Sequence, residues 1–215
     1  MRILIGGSTS KIFHLKEFQE KLIEFGIETK LVIDTEIYEG FPSRKLKKWF
    51  QTKKKFNKLI NEFKPELILV DRQHTLFDTA AVESDIPVAV MLRGDYWSEI
   101  EWAKQTLYKG IIKKNVVKIK DSRAKKCFKK SEIIFPICKH LEKIVKENYP
   151  NKKTEVMYQG INPDRWYPSK GMHLKHPCVG LLQGAVIWGK AQEMLVLQKV
   201  IKSMPNVTFY WVGDG

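Results

Sequence analysis

Apolar and polar positions follow two periods along the chain, and the switches between them predict its elements. Short apolar or β-branched runs, each stopped by Gly, Pro or polar residues, predict buried strands at residues 1–7, 28–34, 66–71, 87–92, 132–136 and 154–157. Helical spacing fills the gaps. Ile12, Leu15, Phe18, Leu22 and Phe25 share one helix face, which Gly26 ends. Leu46, Trp49, Phe50, Phe56, Leu59, Ile60 and Phe63 share another, with Ser43 as its cap and Pro65 as its stop. Further helices are predicted at 75–84, through most of 98–130, and at 139–147. Strands alternating with helices predict an α/β, Rossmann-like domain with a parallel sheet.

The pattern restarts after Val156-Met157-Tyr158-Gln159-Gly160-Ile161-Asn162-Pro163-Asp164-Arg165-Trp166-Tyr167-Pro168. A strand end, a Gly turn and a Pro-punctuated crossing segment make this stretch a divider. Residues 1–168 read as the first domain and 169–177 as a polar linker. Residues 178–215 read as strand, Gly-containing turn, helix (191–204) and strand, an incomplete second βαβ unit. Two strands and one helix cannot bury their own faces. Either this unit packs on the first domain or the polypeptide continues.

Composition narrows the class. The chain has 215 residues, 43% hydrophobic and 11% aromatic, enough for a sizeable core. Its opening apolar run is too short for a signal-peptide core, and no run is long enough to span a bilayer. Cys127, Cys138 and Cys178 have no paired spacing and fit reduced thiols in a cytoplasmic protein, which leaves the Asn206-Val207-Thr208 sequon idle. His14, His74, His140, His173 and His176 show no metal spacing, so no metal site is expected.

Charge is segregated. Of the net +14, residues 44–64 contribute nine Lys/Arg against Glu62 alone, and residues 104–153 sixteen against four acids; the remainder is net negative. Such segregation fits either an anionic partner surface or a solvated lysine face. Tyr108, Ile111, Ile112, Val116 and Ile119 recur at helical spacing with lysines around them. A basic amphipathic helix of this kind suits an anionic membrane surface or a sheet-packed surface helix alike. Lys47, Lys48, Lys113, Lys114 and Lys118 are the expected membrane- or acceptor-facing residues. Arg93-Gly94-Asp95-Tyr96-Trp97 follows the strand at 87–92, where open α/β sheets gather ligands. Arg93 and Asp95 therefore read either as site residues or as an Arg–Asp pair capping the next helix.

Three places resemble a known family. They are Arg2-Ile3-Leu4-Ile5-Gly6-Gly7; Ser131-Glu132-Ile133-Ile134-Phe135-Pro136-Ile137-Cys138 with the dividing stretch; and 178–215, with Lys190 before a helix and Val212-Gly213-Asp214-Gly215 closing a strand. In this order the chain resembles the N-terminal domain and the first βαβ of the second domain of a GT-B glycosyltransferase, within it the family-four retaining enzymes. The resemblance implies an acceptor-side N-terminal domain and a nucleoside-diphosphate sugar as co-substrate, without cofactor or bound metal. It implies donor contacts from Gly6, Gly7, Gly184 and Lys190; Arg93 and Asp95, by their place after the fourth main strand, are the expected catalytic residues, touching donor or acceptor. The chain departs from the family where an Arg usually precedes the Lys, since Gly184 and Ala185 stand there. It also has Arg93-Gly94-Asp95 where many members place a His. The expected function is hexosyl transfer to a lipid-linked or cell-envelope glycan by a cytoplasmic protein peripheral on the inner membrane face. The alternatives are a basic nucleic-acid-binding α/β protein and a half-enzyme needing a partner donor domain. The first lacks the Arg richness and compact motif of a specific reader.

Overall fold

The computed structural model describes residues 1–8, 11–37, 46–71, 73, 76–182, 192 and 194–213. It has the expected α/β class, with two compact units, Met1–Pro163 and Asp164–Gly215. The division falls inside the Pro-punctuated stretch, a little before residue 168.

The first unit is built on five parallel strands: β1 (Arg2–Gly7), β2 (Glu28–Ile33), β3 (Leu67–Val70), β4 (Val88–Leu92) and β5 (Ile133–Pro136), in the order β2-β1-β3-β4-β5. Between them run α1 (Ile12–Glu24), a short α2 (Asp34–Ile37), α3 (Leu46–Phe63), α4 (Leu76–Glu83), α5 (Tyr96–Thr106) and α6 (Ile111–Lys130), and α7 (Lys139–Asn148) follows β5. The strand period of two splits the core. Leu4, Ile68, Val70, Val88, Val90 and Leu92 face Phe56, Phe77, Ala124, Phe128 and Val145 from the helices. Ile3, Ile5, Leu69, Ala89 and Met91 face the other way, onto Leu15 with Phe18 and Leu22 of α1. Phe25, expected on that helix face, is 81% exposed. The helix stops before it, at Glu24: Gly26 takes φ +76°, and Ile27 N–H donates back to the Leu22 carbonyl at 3.0 Å, so the packed stripe ends at Leu22.

The strand expected at 154–157 is a thin ladder beside β5. Ile134 N–H donates to the Lys153 carbonyl (3.0 Å), Glu155 N–H to the Ile134 carbonyl (3.3 Å) and Met157 N–H to the Pro136 carbonyl (2.9 Å). Lys152, just before it, donates to the Lys129 and Ser131 carbonyls at 2.9 and 2.6 Å. It thereby satisfies acceptors at the carboxyl end of α6, where a cation is favoured.

The long helix expected across 98–130 is broken. Gly110 takes φ +92°, a conformation that suits glycine, and α6 starts there afresh. The expected apolar face is also corrected: α6 buries Val117, Ala124, Cys127 and Phe128, while Ile111 and Ile112 are more than 80% exposed and Ile119 is exposed as well. Small Ala124 and Cys127 let the helix close on β4 and α4, and Phe128 stacks on Trp97 with ring centroids 5.2 Å apart. Packing, not the isoleucine spacing, selects the face.

The second unit has parallel β6 (Cys178–Leu182) and β7 (Thr208–Val212) with α8 (Leu197–Ser203), the carboxyl half of the helix expected over 191–204. No described residue of this unit is buried, as two strands and a helix dictate.

Candidate functional site

In the order β2-β1-β3-β4-β5 the chain leaves β1 to one side and returns to the other, so the direction of winding reverses between β1 and β3. The crevice at the carboxyl ends of such strands is where doubly wound sheets bind ligands. Three side chains line up along that edge. Asp71 follows β3, held by its N–H to the Gly6 carbonyl at 2.9 Å, with its carboxylate fully buried. Arg93 follows β4 and donates from Nε to Asp71 Oδ1 and from Nη1 to Gln159 Oε1. Gln159 sits two residues past the last ladder bond beside β5. A cation 14% exposed is thus clamped between a buried carboxylate after β3 and an amide from the segment on the far side of β5. Among the described residues these two bonds use two of the five guanidinium N–H donors, leaving three.

Asp95 is turned elsewhere. It caps α5, accepting the Ser98 N–H on Oδ1 at 3.2 Å and the Ser98 hydroxyl on Oδ2. The two readings of Arg93-Gly94-Asp95 therefore separate: Asp95 is the cap, and Arg93 pairs across strands with Asp71. Sequence reasoning missed Asp71 and Gln159, whose partner lies 22 and 66 positions away. The available signal for Asp71 was a carboxylate ending a wholly apolar strand.

Gly6 and Gly7 end β1 beside Asp71. A Cβ on Gly6 would stand 2.0 Å from Phe77 Cε1, and one on Gly7 2.0 Å from Leu15 Cδ1. Their missing side chains are thus taken up by α4 and α1 closing on the strand. Neither glycine needs a positive φ. Gly184 and Lys190 lie outside the described residues. Lys47 and Lys48 fall in α3, with their side chains outside them too. Lys113, Lys114 and Lys118 are exposed on α6 and take no part in the strand-edge row.

Behind the row, Tyr96 is buried and its hydroxyl donates to Asp121 Oδ1 at 3.1 Å. Burial, then the Asp121 charge, pushes its pKa far up, so it stays a neutral donor. Burial likewise pushes the Cys127 thiol up, which makes it inert packing rather than a nucleophile. No cluster of three or more His, Cys, Asp or Glu that could hold a metal occurs among the described residues.

No family model and no curated protein matches the chain in sequence. Among solved structures, it is similar to MurG of Acinetobacter baumannii (11% identity, TM-score 0.49), over 98% of this chain and 65% of that one. It is also similar to SsfS6, a glycosyltransferase of Streptomyces sp. SF2575 (13%, TM-score 0.44), over 100% of this chain and 68% of that one. A third is a dTDP-4-dehydrorhamnose reductase, an RfbD ortholog of Clostridium acetobutylicum (12%, TM-score 0.36), over 99% and 74%. The chain thus spans 65% of the length of MurG. At these identities and TM-scores the likeness is one of chain course and assigns no role to any residue.

Proposed function

We propose that this protein transfers a sugar from a nucleoside-diphosphate sugar to an acceptor held at a membrane surface, and that the Met1–Pro163 unit is its acceptor side. The observation that carries the reading is the Asp71–Arg93–Gln159 row at the carboxyl edge, beside the point where the winding reverses. The resemblance of the glycine loop, the dividing stretch and the second βαβ to GT-B glycosyltransferases gives that row its chemistry.

In such a transfer the leaving diphosphate gains negative charge. A cation fixed before the reaction lowers the barrier because nothing must reorganise as that charge develops. Arg93 is such a cation: Asp71 holds it at Nε, Gln159 at Nη1, and the remaining donors serve an anionic or hydroxyl group in the crevice. Asp95 supports this indirectly by anchoring the turn after Arg93 to α5. Lys190 and Gly184 fall to the donor side, and retention of configuration follows the family-four resemblance.

Calorimetric titration of the full-length protein with a panel of nucleoside-diphosphate sugars tests the reading, and absence of binding to every one overturns it. With a donor found, Arg93→Ala is expected to cut kcat on the order of 10²–10³-fold, the usual loss when one fixed donor to developing charge is removed. Arg93→Lys, which keeps the charge without the fork, is expected to recover only part.

A further inference from the structure

The head of α6 carries a surface that the fold does not use. No residue from Ile111 to Val116 is buried; the helix first meets the core at Val117. Ile111 and Ile112 are 82% and 81% exposed, with Leu107 and Ile119 exposed beside them. Ile112 and Ile119 share one helix face, nearly opposite the Val117–Ala124–Phe128 face that packs inward. A helix head that presents isoleucines to water gains nothing from the rest of the chain, and exposed apolar groups of this kind mark a contact surface.

Charge identifies the contact. Lys109, Lys113, Lys114 and Lys118 are all exposed around the isoleucines, and no acid occurs between Glu101 and Asp121. The neighbouring charges are engaged elsewhere. Lys120 donates to the Tyr108 hydroxyl, Asp121 takes Lys125 and Tyr96, and Lys126 pairs with Glu83. Position adds a third point. Asp121 is level with Tyr96 at the start of α5, hence near the carboxyl edge of the sheet. Ile111 lies ten residues further along the helix, about 15 Å beyond that level at 1.5 Å per residue.

We infer that the Leu107–Ile119 segment, which leads into α6 and forms its head, docks on a bilayer surface containing anionic lipid. Ile111 and Ile112 enter the headgroup boundary, while Lys109, Lys113, Lys114 and Lys118 reach lipid phosphates. A nucleic acid would match the lysines but leave the isoleucines in water; the segment has no Arg, and its one ring, Tyr108, is half-buried with Lys120 over it. The inference deepens the membrane side of the proposed function and is independent of the transfer chemistry. Donor binding can fail while docking stands, and the reverse.

Co-sedimentation of the full chain with phosphatidylcholine vesicles, with and without phosphatidylglycerol, tests it at near-physiological salt. Wild type is expected to pellet with the anionic vesicles alone. Lys113→Gln/Lys114→Gln/Lys118→Gln is expected to weaken binding on the order of a hundredfold, the equivalent of about 1 kcal/mol per lysine. Ile111→Ser/Ile112→Ser is expected to weaken it at least about tenfold. Phe25→Ser, at an equally exposed apolar side chain beside Glu24 and Glu28, is expected to change nothing. Circular dichroism checks that each variant stays folded. Equal binding to neutral and anionic vesicles overturns the inference, as does unchanged binding by a folded Ile111→Ser/Ile112→Ser variant. Equal capture of RNA by wild type and that variant, without vesicle binding, overturns it in favour of a nucleic-acid surface.

Discussion

Arg93 and Lys113 are cations on the same crossover from β4 to β5, and the chain treats them oppositely. Arg93 is clamped between a fully buried carboxylate and a glutamine, its fork fixed by groups that lie far apart in sequence. Lys113 stands in water on a helix head that buries nothing, with an exposed isoleucine before it. The first arrangement spends structure on holding one charge still, which is what a reacting centre requires. The second leaves several charges mobile and adds apolar side chains, which is what a soft, anionic surface accepts. The difference separates a residue whose removal disturbs the fold from residues whose removal disturbs only an encounter.

Four substitutions test that contrast, beginning with the largest effect. Asp71→Ala leaves the Arg93 guanidinium partly buried without its counter-charge. It is expected to lower stability by about 3 kcal/mol, read from the denaturant midpoint. An unchanged midpoint would mean that the pair does not constrain the sheet edge. Gly6→Ala forces a methyl group into the Phe77 ring and is expected to cost roughly 1–3 kcal/mol. Adding Phe77→Leu should recover part of that loss, and no recovery would point to a backbone cause instead.

Tyr96→Phe removes the hydroxyl bond to Asp121 and is expected to cost about 1 kcal/mol at neutral pH. It also has a pH signature. The folded-state pKa of Tyr96 is raised above the ordinary 10.0, chiefly by burial. The stability this contributes is complete below that value and is lost as pH rises above it, because the unfolded chain ionises first. Tyr149 and Cys127, also raised chiefly by burial, act in the same direction, and Lys152, lowered by burial, acts against them. Midpoints measured between about pH 8 and 11 should therefore fall less steeply in Tyr96→Phe than in wild type. Equal slopes would remove Tyr96 from the account. The smallest effect belongs to the α6 head: Lys113→Gln/Lys114→Gln/Lys118→Gln is expected to stay within about 0.5 kcal/mol of wild type. A larger change would show that those lysines serve the fold.

The strands and their parallel, Rossmann-like arrangement were legible because short apolar or β-branched runs, stopped by Gly, Pro or polar residues, are written locally. So was Arg93, standing where an apolar strand stops. Its partners were not legible, since Asp71 and Gln159 meet it only once β3, β4, β5 and the segment beside β5 have assembled in that order. The faces of α6 show the same limit from another direction. Its sequence offers two apolar stripes, Ile111–Ile112–Ile119 and Val117–Ala124–Phe128, and helical period alone cannot say which one the core takes. The break at Gly110 and the small residues facing β4 decide it. Gly6 and Gly7 were expected to contact the donor; what their sequence did not show is that Phe77 and Leu15 fill the space a side chain would take at each.

The ladder at 153–157 has a mechanical side. Its three backbone hydrogen bonds to β5 lie across the direction of the chain, and the Arg93–Gln159 bond follows two residues later. A pull along the strand axis from beyond Pro163 would load all four bonds together, in shear, instead of peeling them off singly. The chain leaving the first unit is thus anchored as a lap joint. Tension reaching it would be felt at Arg93 before any strand of the sheet gave way.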